Sequence, residues 1–251
     1  MIDLHSHLLP GVDDGSRTVE QSVRVLTVLE AGGVATVACT PHLLASNIAG
    51  GWPAEYESAW TALNAVLPAG IRLVRGAEVM LDRPIPAAAG ERKVTINGTR
   101  YLLVEFARMV PADIVLRALT EVTRLGLVPI LAHPERYSSC SVESVRAWRN
   151  TGAVIQVDAT TITQTRSRSD RARDLLNAGL ADILAGDNHG DDRSLATARE
   201  WLLAHRGAEQ CELLLETNPQ AILDDRAVYE VDPLRVRATL WQSMRRIFDP
   251  A

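Results

Sequence analysis

The 251-residue sequence contains little of what would mark a membrane, secreted or nucleic-acid-binding protein. Its three cysteines are odd in number and form no CxxC pair, so a disulfide framework is not expected. No apolar run approaches the ~18 residues of a membrane span, and the first residues lack the basic-then-apolar pattern of a signal peptide. The net charge of −5 argues against binding nucleic acid through its phosphates. These absences predict a cytoplasmic protein without nucleic-acid or membrane partners, and they leave homo-oligomerisation open.

The sequence also has no Pro/Ser/Gly-rich linker, low-complexity run or block of like charge that would divide it. With 47% hydrophobic and 23% charged residues it is able to bury one large core. Because α/β barrels commonly reach this length as one domain, we expect residues 1–251 to form a single domain.

One pattern recurs along the chain: an amphipathic stretch, a glycine, and a short apolar run that ends in a polar residue. It occurs at 29–42, 123–135, 149–159 and 176–189, and it is typical of helix–strand units in a parallel sheet. Asn97-Gly98 predicts a type I′ turn, and thus a small hairpin before the fourth strand. The predicted strands are Ile2–His5, Ala35–Thr40, Ile71–Glu78, Tyr101–Phe106, Val128–His133, Ala153–Val157 and Ile183–Asp187.

Caps and first-turn prolines predict helices between these strands. A short helix is expected after Thr217-Asn218-Pro219, and a final one from Asp232-Pro233 to about Phe248. Alternation of seven parallel strands with helices favours an irregular barrel over an eight-stranded one. The predicted helices between the strands are Ser16–Ala31, Pro53–Leu67, Pro111–Leu125, Val142–Arg149, Arg168–Ala178 and Ser194–His205.

Histidines and acids occur where the predicted strands end. In α/β folds these ends open on one face, so the side chains converge. A single histidine at a strand end is more often a hydrogen-bonded core or surface residue, but six such strand ends make that reading improbable. Imidazole and carboxylate together suit Zn, Mn or Fe(II), and the number of donors fits two or three ions. His205, on a predicted helix, is expected at the surface. The converging residues are His5, His7, Asp14, His42, Glu78, Glu105, His133, Asp187 and His189.

Six words of the sequence resemble one family: MIDLHSHLLPGVDDG, CTPHLL, GAEV, LVEF, LAHPER and AGDNH. They are similar to the polymerase-and-histidinol-phosphatase (PHP) superfamily, in particular its branch of bacterial manganese-dependent protein-tyrosine phosphatases of capsule and exopolysaccharide regulation. The resemblance runs from Met1 to about Arg193. It implies a distorted seven-stranded (β/α) TIM-like barrel that holds three divalent metal ions. The family suggests Mn²⁺, and the ligand types are equally compatible with Fe or Zn.

The resemblance also implies which residues bind each ion. The first would be held by His5, His7, Glu78 and Asp187. The second would be held by Glu105 and His133, with Glu78 bridging, and the third by Asp14, His42 and His189. Asp13 is then expected to orient a ligand. Three divalent ions against four carboxylates give a centre of about +2, which suits a phosphate dianion.

The implied reaction is hydrolysis of a phosphomonoester by a metal-bridging hydroxide that attacks phosphorus. Arg136 suits bidentate phosphate contact, with an ion pair to Glu135 as its alternative. Arg193 follows the DxH motif at a spacing one residue shorter than the family shows. A metal-bound water, Asp14 and His42 are the candidates for the general acid.

The expected substrate is phosphotyrosine in protein, in the tyrosine-rich tail of a bacterial tyrosine autokinase. The alternatives are a small-molecule phosphoesterase such as histidinol phosphatase, an amidohydrolase, and an inactive metal-binding scaffold. The usual amidohydrolase site needs a lysine at the end of strand 4, where this chain has Glu105, and its only lysine is Lys93. Cys140-SVESV-Arg146 matches the C-x5-R word of cysteine-dependent tyrosine phosphatases. It has no glycine and predicts the start of a helix capped by Ser141, so we reject it.

Two loops offer less specific signals. Residues 46–56 either shape the mouth of the site, with Trp52 or Tyr56 stacking on a substrate ring, or form a flexible turn into a helix. Residues 158–170 carry Arg166 and Arg168 where the family is usually richer in glycine, and this difference bears on substrate choice.

Overall fold

The computed structural model describes residues 1–234, so the predicted helix to Phe248 lies outside the described residues. Within them the chain alternates short strands with helices, as predicted. All strand pairs are parallel. The strands are β1 (Ile2–Ser6), β2 (Thr36–Cys39), β3 (His42–Leu44), β4 (Arg72–Arg75), β5 (Glu78–Met80), β6 (Tyr101–Glu105), β7 (Val128–Ala132), β8 (Val154–Asp158) and β9 (Ile183–Ala185).

The third predicted strand, Ile71–Glu78, is broken into β4 and β5, and the second, Ala35–Thr40, is followed after Pro41 by an additional short strand, β3. The hydrogen-bonded orders are β1-β2-β4 and β3-β5-β6-β7-β8-β9, in which β3 continues β2 and β5 continues β4. Pro41 has no N–H to donate to a ladder, and its carbonyl accepts from Glu78 N at 3.1 Å. The expectation that Glu78 ends a strand is therefore wrong. Glu78 begins β5, directly opposite His42 at the start of β3.

The strands close on themselves as a distorted seven-stranded barrel. A parallel bridge joins Ser6 to Asn188, which follows β9. Beside it, Asp187 N donates to His5 O at 2.9 Å and His7 N donates to Asn188 O at 2.8 Å. These bonds bring the two ends of the strand order together, so the predicted barrel is confirmed.

The helices cover the outside of the barrel. In the third, Val115, Leu119 and Val122 are buried at helical spacing, and each buried aliphatic side chain contributes roughly 1.5–3 kcal/mol. None of the helices in residues 1–234 combines the length and the apolar character needed to cross a bilayer. The helices are α1 (Val19–Ala31), α2 (Ala54–Asn64), α3 (Ala112–Arg124), α4 (Val142–Arg149), α5 (Ser167–Asn177), α6 (Leu195–Ala204), α7 (Ala208–Glu212) and α8 (Asn218–Leu223).

The predicted hairpin before the fourth strand is absent from the described residues. Asn97 and Gly98 do take the left-handed conformation of the predicted turn, with φ of 52° and 70°. The residues around them form a 3₁₀ turn, because Thr95 Oγ1 donates to Arg92 O at 3.0 Å and Thr99 Oγ1 to Ile96 O at 2.6 Å. Such side-chain bonds to the backbone compete with a strand ladder.

The interior of the barrel carries an apolar cluster with the polar site above it. Alternate residues of the strands, among them Leu4, Ala38 and Ile130, pack together without a side chain from α1 to α7. In β1 the register with β2 shifts between Asp3 and Ser6, where two residues of β1, Leu4 and His5, lie opposite one of β2, Ala38. A bulge of this kind re-aims side chains. Leu4 packs into the interior cluster, and the next residue, His5, also contacts an inward-facing residue, Gln156 of β8.

Candidate metal centre

Four buried side chains from three distant parts of the chain converge at the carboxyl end of β1. His5 Nε2, His7 Nε2, Glu78 Oε2 and Asp187 Oδ1 form this inner tetrad. The two imidazole nitrogens lie 3.2 Å apart. Each of them lies 3.2–3.3 Å from each of the two carboxylate oxygens. All four side chains are at most 1% exposed.

The spacing of the inner tetrad fits a divalent ion. Ligand bonds of about 2.0–2.1 Å give a tetrahedron with edges of about 3.3–3.4 Å, and the five distances above agree with that. Glu78 Oε2 and Asp187 Oδ1 are buried and make no hydrogen bond in the described structure. Two carboxylate oxygens would not be left unsatisfied in a core without compensation, because burying a charge is costly. Two nitrogens and two oxygens are also a donor set that suits Zn, Mn or Fe(II).

The imidazoles of the inner tetrad are fixed by their other ring nitrogens. His7 Nδ1 lies 2.8 Å from Asp13 Oδ2, and His5 Nδ1 lies 3.0 Å from Gln156 Oε1. Such contacts fix the ring orientation of a metal-binding histidine. The structure thus places Asp13 in the orienting role expected from the sequence. Sequence reasoning missed Gln156, although a polar residue within the apolar run AVIQVDA was a usable signal.

The VDDG motif can pack against His7 because its glycine, Gly15, has no side chain. A Cβ on Gly15 would lie 2.0 Å from His7 O, and Ser16 N donates to that oxygen at 2.9 Å. Only glycine allows this approach, which brings the turn with Asp13 and Asp14 against His7.

The second predicted ligand set is only partly assembled. His133 Nε2 lies 2.9 Å from Glu78 Oε1, and its Nδ1 is buried without a hydrogen bond. Glu105, however, groups with a different histidine. Its Oε1 lies 3.1 Å from His42 Nδ1, which is also 3.1 Å from Glu78 Oε2. Glu78 therefore contacts the two histidines of the inner tetrad and also His42 and His133, as expected of a bridging carboxylate.

The third predicted set lies at the surface, and we call it the outer group: Asp14, His42 and His189. Asp14 Oδ1 lies 3.3 Å from His42 Nε2 and 3.5 Å from His189 Nε2. His7 also lies within reach of all three. The side chain of Asp14 is 69% exposed and that of His42 36%. The donor atoms of the outer group are thus farther apart and more exposed to solvent than those of the inner tetrad.

Two of the candidate ligands have left-handed backbones. His133 has φ of 34° and Asp187 has φ of 47°. This conformation costs about 1–3 kcal/mol in residues other than glycine and persists where the surroundings enforce it. Both residues follow strand ends, so the strain turns their side chains onto the site.

Carboxylates and imidazoles of the centre shift one another's pKa values. Burial raises the pKa of Glu78 and Asp187, but the neighbouring imidazoles, His5 foremost, hold both pKa values well below the usual range. Burial lowers the pKa of His42, but Glu105 and Glu78 outweigh it and raise the pKa to about 10. Glu78 and Asp187 are thus ionised at neutral pH. A cation that binds here must displace imidazole protons.

Two arginines border the inner tetrad. Arg136 Nη2 lies 2.6 Å from Asp158 Oδ2 and also contacts Asp187. Burial lowers the pKa of Arg136, but Asp187 and Asp158 raise it further, so the guanidinium is charged. Arg193 Nη1 lies 3.3 Å from Asp187 Oδ2 and 3.2 Å from His189 Nδ1. The alternative partner of Arg136 suggested by the sequence, Glu135, instead accepts from the Asp158 backbone.

The aromatic residues of loop 46–56 have structural partners. Trp52 Nε1 donates to Gly76 O at 2.9 Å, and its ring packs edge-on against Tyr56 and Trp60. Tyr56 Oη donates to His42 O at 2.6 Å. Tyr56 therefore supports the backbone of a candidate ligand, and Gly51, with φ of 71°, leads into α2 as in the second sequence reading.

The remaining sequence signals lie away from the centre. Cys140 is buried, burial raises the pKa of its thiol to about 12, and Ser141 caps α4 through a 3.0 Å bond to Ser144 N. The segment is thus the start of a helix, as predicted. Lys93 pairs with Glu91 at 2.7 Å and is half exposed. His205 is exposed and stacks on the Trp201 ring at 4.0 Å.

Comparison with known proteins agrees with this geometry. A family model for capsular polysaccharide synthesis proteins, CpsB/CapC, matches residues 1–224. "Tyrosine-protein phosphatase CpsB" of Streptococcus agalactiae serotype III (strain NEM316) is 26% identical over 247 residues, spanning 91% of this chain and 100% of the relative. "Tyrosine-protein phosphatase YwqE" of Bacillus subtilis (strain 168) is 24% identical over 251 residues, 94% of this chain and 97% of the relative.

A solved structure shows the same fold. It comes from work on YwqE of Bacillus subtilis and CpsB of Streptococcus pneumoniae, described as unique metal-dependent tyrosine phosphatases. The TM-score is 0.81 at 23% identity, over 95% of this chain and 100% of that chain. The resemblance stated from the sequence is confirmed. This chain belongs to the CpsB/CapC family of capsular polysaccharide synthesis proteins.

Proposed function

We propose that this protein is a metal-dependent phosphatase that hydrolyses phosphotyrosine in protein. The observation that carries the proposal is the inner tetrad, whose buried nitrogens and oxygens have the spacing of a divalent-ion site with two arginines beside it. The relatives named as tyrosine-protein phosphatases support the choice of substrate.

The proposed ligand sets follow the sequence expectation. His5, His7, Glu78 and Asp187 hold one ion. Glu105 and His133 hold a second with Glu78 bridging, and His42 is near enough to Glu105 to contribute. Asp14, His42 and His189 hold a third. Mn²⁺ is the proposed metal, and the donor types also admit Fe or Zn. Bound divalent ions would lower the pKa of water and neutralise phosphate oxygens.

The chain's own residues orient the phosphate. Arg136 and Arg193 present guanidinium groups beside the inner tetrad, and a planar guanidinium suits two phosphate oxygens at once. In the free protein both contact Asp187, so these contacts hold the two arginines in place before substrate binds. Asp14 and His42, at the exposed side of the centre, are the candidate general acids among the side chains. Their task is light, because a phenol leaving group with a pKa of about 10 needs less protonation than an alcohol.

The proposed partner is a bacterial tyrosine autokinase whose tyrosine-rich tail carries the phosphate, and the proposed compartment is the cytoplasm. The partner follows from the family resemblance, and the compartment from the cysteine usage of the sequence. The proposed single domain of residues 1–251 is consistent with a family match over residues 1–224.

A phosphatase panel tests the proposal. Protein loaded with Mn²⁺, Fe²⁺ or Zn²⁺ would be given a phosphotyrosyl peptide, a phosphoseryl peptide, p-nitrophenyl phosphate and histidinol phosphate. We expect the highest kcat/KM on the phosphotyrosyl peptide. Faster turnover of histidinol phosphate would favour the small-molecule phosphoesterase. Absence of turnover with every metal would favour the inactive scaffold.

A further inference from the structure

A cavity of about 590 Å³ opens beside the inner tetrad and lies outside the candidate ligand sets. Arg136 and Arg193, which both contact Asp187, line the cavity. Its two walls are the segment that follows β8, as far as Arg168 of α5, and the segment that follows β9, as far as Thr197 of α6. Its size is within the range of pockets that bind small molecules or side chains, roughly 300–1,000 Å³. A substrate that places its phosphate between Arg136 and Arg193 would therefore extend its neighbouring groups into this cavity.

Arg168, in the first turn of α5, is the cation of this cavity that has no acidic partner among residues 1–234. Arg136 and Arg193 are paired with aspartates. Arg168 Nη2 donates to the neutral Gln164 Oε1 at 3.2 Å, and no carboxylate in residues 1–234 forms an ion pair with it. Its Nε is shielded from solvent and makes no hydrogen bond there. A partly buried guanidinium without a counter-ion is suited to bind an anion.

The loop between β8 and α5, which leads to Arg168, is held in place by its own contacts. Arg173 Nε donates to Ile162 O at 2.9 Å, which fixes the middle of the loop to α5. Thr160 Oγ1 donates to Asp158 Oδ1 at 2.7 Å, and the other oxygen of Asp158 accepts from Arg136. A continuous set of contacts therefore links this loop to the arginine beside the inner tetrad.

The opposite wall carries two aspartates, Asp191 and Asp192, and both are more exposed to solvent than Arg168. Asp191 is paired with Arg193 at 2.9 Å. Asp192 is exposed, so water and salt screen its charge more than that of the partly buried Arg168. The attraction for an anion is thus concentrated on the wall that contains Arg168 of α5.

We propose that this cavity is a subsite for an anionic group beside the phosphotyrosine of the substrate and that Arg168 determines this preference. The proposal rests on the proposed phosphatase function. The anion is a carboxylate of a neighbouring Asp or Glu, or the phosphate of a second phosphotyrosine, because a guanidinium binds either.

Peptides of equal length test the subsite. Each carries one phosphotyrosine whose neighbours on both sides are Gln, Glu, Lys or a non-hydrolysable phosphonate mimic of phosphotyrosine. For the wild type we expect a KM about fivefold lower with Glu or phosphonate neighbours than with Gln, the size of one partly exposed charge pair. A gain with the phosphonate alone assigns the subsite to a second phosphate, and a gain with both assigns it to anions in general.

Variants separate charge from structure. Arg168→Gln should abolish the KM ratio, Arg168→Lys should keep most of it, and Arg168→Glu should reverse it in favour of Lys neighbours. Arg199→Gln is the matched control, because Arg199 is exposed on α6 two residues after the cavity residue Thr197, which turns it to another face. A wild-type ratio retained in Arg168→Gln, or equal KM values for all peptides, would overturn the subsite alone. No hydrolysis of any peptide would overturn the phosphatase function together with the subsite.

Discussion

The inner tetrad and the outer group use the same residue types in opposite surroundings. Donor atoms of the inner tetrad are 3.2–3.3 Å apart on side chains at most 1% exposed. In the outer group Asp14 is 69% exposed and its donor distances are 3.3–3.5 Å. Buried contacts hold the inner imidazoles, whereas Asp14 has solvent around it. The difference teaches that the donor atoms of the inner tetrad are in place without an ion, and we propose that the outer group exchanges ions and faces the substrate.

The largest effect is expected from breaking the inner tetrad. His7→Ala removes a donor that both groups can use, and we expect kcat on phosphotyrosyl peptide to fall by about 10²–10³-fold or more, with loss of bound metal. His205→Ala is the matched control, because His205 is an exposed histidine directly after α6 and outside the candidate ligand sets, and it should retain wild-type values. Metal content by mass spectrometry and steady-state kinetics measure both. A full rate in a His7→Ala protein that binds no metal would contradict the proposed chemistry.

Removing the support of the inner tetrad should have a smaller effect. Asp13→Asn leaves every candidate ligand in place but weakens the 2.8 Å contact that orients His7. Loss of such a contact typically costs 10–100-fold in metal affinity or activity. Metal titration by calorimetry measures the change. An affinity within twofold of the wild type would show that His7 does not depend on Asp13.

The outer group should respond to metal supply, in contrast to the inner tetrad. Asp14→Ala should lower the rate about tenfold at trace Mn²⁺, with recovery at excess Mn²⁺, because an exposed carboxylate contributes modestly to affinity. The rate is measured along a Mn²⁺ titration of Asp14→Ala and His7→Ala side by side. Recovery of His7→Ala alone would reverse the assignment of tight and exchangeable positions. Recovery of both variants would show that the two positions do not differ. Metal content restored at excess Mn²⁺ without recovery of the rate would contradict this expectation and would assign Asp14 as the general acid.

The smallest effect is expected outside both groups. Cys140→Ser changes the cysteine of the C-x5-R word, and its raised thiol pKa keeps it in the neutral form at neutral pH. Activity on p-nitrophenyl phosphate should therefore stay within about twofold of wild type, since a thiol that is not ionised is a poor nucleophile. A loss comparable with that of His7→Ala, in protein with unchanged thermal unfolding, would reopen the cysteine-dependent mechanism.

The barrel and most of the candidate centre could be predicted because both depend on local patterns. Helix caps, glycines and apolar runs mark the strand ends, and polar residues at strand ends meet whatever their separation in sequence. Details set by tertiary contacts could not be predicted. Pro41 separates β2 from β3, and Glu78 begins β5 after a break in the preceding strand. Side-chain hydrogen bonds of Thr95 and Thr99 form a 3₁₀ turn where a hairpin was predicted.

The sequence also could not predict which side chains of the centre contact one another. Glu105 lies next to His42 rather than His133, and His42 begins β3 opposite Glu78, a register that no local pattern specifies. The contact of Gln156 with His5 crosses from β8 to β1 and depends on the bulge in β1. A search for polar residues inside apolar strands would have raised Gln156 as a candidate.

The most direct test of the account is reconstitution of metal-stripped protein. Chelator-treated protein would be titrated with Mn²⁺ while bound metal per chain and hydrolysis of a phosphotyrosyl peptide are measured together, for the wild type and for Asp187→Asn. The account predicts no hydrolysis in stripped protein, recovery as Mn²⁺ binds to the wild type, and no recovery in Asp187→Asn. Stripped protein that hydrolyses the peptide at the wild-type rate would contradict it.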